Sequence, residues 1–207
     1  MKPILFIPFS VLLSILSWTD FQNKKEEKDH KIFEYKHHHR EYSDVIIQDS
    51  SQYLFPVSKD SLIRYDTDIA FLNQNKDTVI QFGLHKLYFE KFDTLYNYII
   101  VESNTGFVGL NLKGEIIFDA YTYGDFQLDD YSDGLCRIHR NGKIGYINKV
   151  GEIVIPCIYE CADYFENGKA RVALKCVHLA NKITGDFEKN ISDEWFYINK
   201  KGERIND

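Results

Sequence analysis

The sequence predicts an all-β protein built from tandem antiparallel meanders, and three observations predict it. Apolar residues come in short runs separated by turn residues, and no stretch holds a 3.6-residue apolar period for three turns. A Gly-Glu turn that opens an apolar strand recurs at Gly114-Glu115, Gly151-Glu152 and Gly202-Glu203, at offsets of 37 and then 51 residues. Aromatic residues are abundant, with 14 Tyr and 15 Phe in 207 residues, and such side chains suit a pleated, half-buried surface. Recurrence at this period marks an architecture in which each unit is too small to bury its own apolar face and leans on its neighbours. An elongated, twisted array is expected; a partial propeller-like arrangement is the alternative.

The elements follow in order. Lys2 precedes an apolar run from Ile4 to Leu16, broken only by Pro8, Ser10 and Ser14. A spanning helix needs about 20 apolar residues, so residues 1–19 read as a secretory signal peptide, or else as an uncleaved anchor in the inner membrane. A lipid anchor needs a cysteine just after the run, and none occurs before Cys136. Residues 20–44 form a charged tether, with Lys24, Lys25, Glu26, Glu27, Lys28 and Asp29 in succession. Within it, Lys36, His37, His38, His39 and Arg40 make a basic, His-rich patch, read as solvated linker because it lacks the rigid geometry of a metal site.

Residues 45–104 read as degenerate β repeats. Ile69-Ala70-Phe71-Leu72-Asn73, Gln74-Asn75-Lys76 and Asp77-Thr78-Val79-Ile80 have the apolar outline of a unit without its turn glycine. Residues 105–207 carry the clear units. Leu135 to Arg140 is a strand, Asn141-Gly142 the hairpin turn, Lys143 to Asn148 the return strand, and Glu152 to Ile155 a third strand stopped by Pro156. Gly106 to Asn111 with Glu115 to Phe118 repeats the order upstream. Trp195 to Asn199 with Glu203 to Ile205 repeats it downstream, with an insertion expected between His178 and Asp193.

These residues resemble the WG repeat family. The likeness rests on Asn141-Gly142-Lys143, Gly145-Tyr146-Ile147-Asn148, Gly151-Glu152-Ile153-Val154-Ile155-Pro156, Tyr159, Phe165, Gly168 and Ala170-Arg171-Val172, and it runs from about Gly106 to Ile205. The name-giving Trp is Ile144 in the best unit and is placed at Val108 in the one before. Trp195 keeps it, with Phe196 in place of the glycine. The resemblance implies a mostly bacterial family, often exported, with no general biochemical activity and no catalytic residues to carry over.

Charge and chemistry narrow the function classes. A net charge of −6 disfavours nucleic acid as a partner. The sequence contains no nucleophile elbow, phosphate-binding glycine loop or zinc-protease motif. His85, His139 and His178 stand singly. Asp125, Asp129, Asp130 and Asp133 lack the alternating spacing of a calcium loop and fall at the ordinary turn between units. Four cysteines permit a disulfide without specifying its pairing. Cys157 and Cys161 are spaced loosely like metal ligands without a second pair, whereas Cys136 and Cys176 read as small core residues. No cofactor or metal is expected. The expected role is a non-catalytic, exported protein-binding or scaffold module of the cell envelope. The alternative is an envelope hydrolase with an unrecognised site. The partner is another protein or an envelope component, met on a ridge of Tyr121, Tyr123, Tyr131, Tyr159 and Tyr164.

Overall fold

In the computed structural model, residues 30–32, 40–46, 51–59, 67–87, 95–123, 127–184 and 186–206 are described. The expected signal peptide, His37 to His39 and most of the tether lie outside these residues. Among the described residues there are strands and no helix, all strand pairs are antiparallel, and no sheet closes into a barrel.

One turn, built four times among the described residues, sets the repeat. In the sequence Asn-x-x-Gly-Glu, the Asn148 side-chain oxygen accepts from the amides of Val150 (3.1 Å) and Glu152 (3.0 Å), and its Nδ2 donates to the Glu152 carboxylate (2.7 Å). Two backbone bonds, Asn148 N to Glu152 O and Gly151 N to Asn148 O, close the loop. The same five bonds recur at Asn111–Glu115 and Asn199–Glu203. They recur again at Asn73–Asp77, where the glycine is missing. Side-chain bonds of this kind let Asn mimic a backbone turn. The fourth residue sits at positive φ in all four, Gly114, Gly151 and Gly202 at 76° to 88° and Lys76 at 68°. Lys76 therefore carries the left-handed strain that glycine avoids. Lys76→Gly is expected to raise stability by roughly 0.5–1 kcal/mol, read as a higher urea midpoint with an unchanged slope.

The first repeat has strands Phe55–Ser58, Ile69–Leu72 and Thr78–Ile80 in a three-stranded sheet. The second has Tyr98–Ser103, Gly106–Asn111 and Ile116–Ala120; the third has Leu135–Arg140, Lys143–Asn148 and Ile153–Tyr159. These two share a seven-stranded sheet, joined where Ile116–Ala120 pairs with Leu135–Arg140 and extended at one edge by Lys86–Leu87. The fourth has Lys169–Ala173, Phe196–Asn199 and Arg204–Ile205, in one sheet with Cys161–Ala162. Three two-residue hairpin turns, Asp133-Gly134, Asn141-Gly142 and Asn167-Gly168, have positive φ at both positions, the geometry that follows strand twist.

Each repeat has a front and a back face, and successive repeats meet front to back. The front of the first (Ile69, Phe71) packs against the back of the second (Val101, Val108, Leu110). The front of the second (Tyr98, Ile100) meets Cys136, Ile138 and Ile147 on the back of the third. The front of the third (Leu135, Ile144, Tyr146) meets Ala170, Val172 and Ile198 on the back of the fourth. The apolar cores thus lie between copies, as repetition of so small a unit demands.

Superposing the turns corrects one sequence assignment. With Asn111 matched to Asn148, Phe107 and not Val108 holds the name-giving Trp position, and Gly109 stands where Tyr146 stands. Gly145 and Gly109 both mark close approach, but to different neighbours. A Cβ on Gly145 would lie 2.6 Å from the Ile155 carbonyl oxygen, at a bulge in the pairing with Ile153–Tyr159. A Cβ on Gly109 would lie 2.3 Å from the Phe118 ring, which fills the space that Tyr146 fills one repeat later.

The inserted residues form a separate small unit. Val177–Asn181 and Phe187–Ile191 make a hairpin, and His30–Ile32 pairs with its first strand.

Candidate functional site

The chemistry-bearing side chains gather where the third repeat meets the fourth. Arg137 points from the front of Leu135–Arg140 and is buried. Its Nε and Nη2 donate to the two oxygens of Asp129 (3.0 and 2.8 Å), and its Nη1 donates to the Ala162 carbonyl (2.9 Å). The Asp129 carboxylate also accepts from the Arg137 amide (3.0 Å). The guanidinium carbon lies 4.2 Å from the Tyr121 ring centre and 5.9 Å from that of Tyr164. Tyr121 in turn stacks flat on His139 at 5.0 Å. Tyr146, opposite Arg137 in the strand pair, donates its hydroxyl to the Asp163 carbonyl (2.7 Å) and meets Phe165 edge to face at 4.8 Å. Burial pushes the Asp129 carboxyl up and the Arg137 guanidinium down. The bond from the Arg137 amide holds the Asp129 carboxyl down against that burial, and bidentate geometry favours the charged form of both partners.

The same pair recurs one repeat on. Arg171 Nε donates to Asp163 at 2.8 Å, but these side chains are 45% and 42% exposed, against 5% and 3% for Arg137 and Asp129. The difference is what lies in front: the strip from Ala162 to Phe165 and the back of the fourth repeat cover the third.

The tyrosines expected as a ridge fall in different settings. Tyr159 is buried, with 3% of its surface exposed, while Tyr164 is 50% exposed. Tyr131 is half-buried, hydrogen-bonded to the Tyr98 hydroxyl and donating to the Asn148 carbonyl (3.0 Å). Tyr121 and Tyr164 come together around Arg137. Tyr123 holds a strand position, and its side chain lies outside what is described. Sequence reasoning weighed Asp129 for calcium and missed Arg137 and the pairing of the two. Their signal was present as the spacing shared by Asp129-Arg137 and Asp163-Arg171. Asp133, considered for calcium, accepts instead from the Gly168 amide (2.7 Å) and ties two turn tips together.

Residues 40–44, expected at the end of the tether, are held against the second and third repeats. The Ser43 amide donates to the Ile116 carbonyl (2.8 Å), and Arg140 binds the Ser43 carbonyl and the Asp44 carboxylate. Tyr42 donates to Asp119, and burial together with that carboxylate pushes its hydroxyl up to about 12. Arg40 donates to the Thr105 hydroxyl (2.7 Å), so Arg40, Tyr42 and Asp44 all have partners that a purely solvated tether lacks. A surface cleft of about 550 Å³ adjoins Asp44, Arg140 and Glu152.

Cys161 and Cys176 form a disulfide with 5.9 Å between their Cα atoms. Cys176 is thus a bonded residue rather than the simple core filler its neighbours suggested, and Cys161 pairs with it rather than acting with Cys157 as a ligand. Burial pushes the free thiols of Cys136 and Cys157 up to about 12, which disfavours the reactive thiolate. Reducing the bridge, or the change Cys161→Ser with Cys176→Ser, is expected to cost about 3 kcal/mol, the closure entropy of a loop this long. Urea melts with and without reductant check this, and the double variant should show no reductant dependence.

A family model described as WG containing repeat matches residues 144–175, from the return strand of the third repeat to just past the first strand of the fourth. The chain carries a WG repeat. The matched residues include Tyr146, Ala162, Phe165 and Arg171, so this WG repeat spans the joint between two copies. No curated protein and no solved structure matches the chain.

Proposed function

We propose that the chain is a non-catalytic, exported binding or scaffold module of the cell envelope. The observation that carries the reading is how the repeats spend their polar groups. Arg137, Asp129, Tyr146 and Ser132 are committed to holding one repeat on the next. Solenoid-like stacks of this kind serve by presenting surface. The Cys161–Cys176 disulfide supports export, because such bonds persist in oxidising compartments. The acidic net charge favours a polypeptide or envelope partner over nucleic acid.

Two measurements test this. Cell fractionation with mass spectrometry should find the mature chain outside the cytosol, shortened by removal of the N-terminal apolar run and oxidised at Cys161 and Cys176. A full-length, reduced chain in the cytosol rejects export. Affinity capture from envelope extract, followed by reconstitution with the purified partner, should give a saturable complex. Absence of any reconstituted complex rejects the binding role.

A further inference from the structure

Four front-face positions recur in the second, third and fourth repeats. They are Tyr98, Leu135 and Lys169; Ile100, Arg137 and Arg171; Phe107, Ile144 and Trp195; and Gly109, Tyr146 and Tyr197. In the second and third repeats the next copy covers this face. Leu135, Arg137, Ile144 and Tyr146 are all buried. In the fourth, Lys169 and Arg171 are exposed and Trp195 and Tyr197 are half-buried. The open face is ordered by its own contacts. The Arg171 guanidinium lies 4.3 Å from the Trp195 ring centre, and the Lys169 ammonium lies 4.3 Å from that of Tyr197.

We infer that this front face of the fourth repeat is a docking surface for an extended acidic polypeptide segment that carries an aromatic residue. The inference rests on the binding role proposed above and names its site and partner chemistry. The third repeat supplies the template. There Arg137 Nη1 and the Tyr146 hydroxyl donate to the successive carbonyls of Ala162 and Asp163, and Tyr146 packs on Phe165. The fourth repeat keeps both donors, as Arg171 and Tyr197. Among the described residues, Asp163 takes the Nε of Arg171, and no acceptor takes its Nη groups or the Tyr197 hydroxyl. Where the third repeat has Leu135, the fourth has Lys169. That change replaces an apolar contact with a cation, so the occupant must differ from another repeat's apolar back by carrying negative charge. An aromatic side chain on the segment takes the place of Phe165 against Tyr197.

The test uses the full chain with Trp18→Phe, which leaves Trp195 as its single tryptophan. The ligand is the hexapeptide with the sequence of residues 162–167, Ala-Asp-Tyr-Phe-Glu-Asn, and the readout is Trp195 emission. A saturable shift is expected, about tenfold weaker for Arg171→Ser and severalfold weaker for Tyr197→Phe. It should also weaken with added salt, and for a control peptide with amides in place of its acids. Circular dichroism and melting of the Arg171→Ser variant establish that its fold is intact, as expected for an exposed pair. No saturable shift, or binding unchanged by Arg171→Ser, overturns the inference. Sedimentation showing a dimer that Arg171→Ser dissociates assigns the face to a second copy and likewise overturns it. If the partner reconstituted from envelope extract still binds the Arg171→Ser chain, the binding role stands while this site falls. If no partner is reconstituted at all, the broader reading falls instead.

Discussion

Asp129→Ala is expected to destabilise the protein by about 3–5 kcal/mol, the cost of leaving a buried guanidinium without its counter-charge. For a chain of this size that is a drop of roughly 6–20 °C in melting temperature. The magnitude follows from burial. Asp129 takes two charge-assisted bonds from the Arg137 side chain and one from its amide, and neither side chain has more than 5% of its surface in water. Solvent cannot repair the loss. Asp163→Ala removes the equivalent partner of Arg171, yet both members of that pair are nearly half exposed. Its expected cost is below about 1 kcal/mol. The two variants make the same chemical change at the same place in two repeats, so their difference measures what covering by the next repeat is worth. A matched apolar pair, Asp129→Leu with Arg137→Met, should recover much of the loss, because it removes both charges from the interior. Equal losses for Asp129→Ala and Asp163→Ala in chemical melts would refute the assignment of Arg137 as a covered front-face residue.

That contrast also shows what the sequence could and could not say. The all-β class, the meander within each repeat and the hairpin turns were legible because they depend on local chemistry. Asn141-Gly142 dictates its own backbone, and Gly151-Glu152 closes a turn with bonds spanning five residues. The first repeat was harder to read because Lys76 stands where glycine is expected. The invariant part of the turn is Asn73 with Asp77, whose side chains do the bonding whatever lies between. The candidate site was least legible. Whether Arg137 is a buried anchor or a surface cation depends on a strip about 25 residues away that no local rule connects to it. The tyrosines illustrate the same limit. Tyr159 and Tyr164 are five residues apart, but strand alternation and the following turn bury one and expose the other. Disulfide pairing was equally out of reach, since Cys161 and Cys176 meet through the path of Lys169–Ala173 between them.

Phe118→Ala is expected to cost about 3–5 kcal/mol, because the ring is fully buried and lies directly over Gly109. Gly109→Ala alone should cost about 1–3 kcal/mol. Its Cβ would lie 2.3 Å from a ring that Tyr98 packs edge-on at 5.4 Å, so the ring has little room to yield. The two changes oppose each other in volume. With the ring gone, the added methyl group meets empty space and fills part of it, so the double variant should lose less than the sum by about 1–3 kcal/mol. The third repeat explains why the positions are coupled. There a large Tyr146 faces a smaller Ile155, while here a glycine faces a large Phe118. Each repeat fills one slot in its front face from one strand or from the other. No such rescue is expected at Gly145, where the added Cβ meets the backbone of Ile155 and Cys157, which no side-chain change can move. Denaturant melts of the single and double variants decide the matter. Strict additivity at Gly109 and Phe118, to within about 0.5 kcal/mol, means that the two do not share a slot. In that case the front-to-back packing of the second repeat on the third would have to be drawn differently.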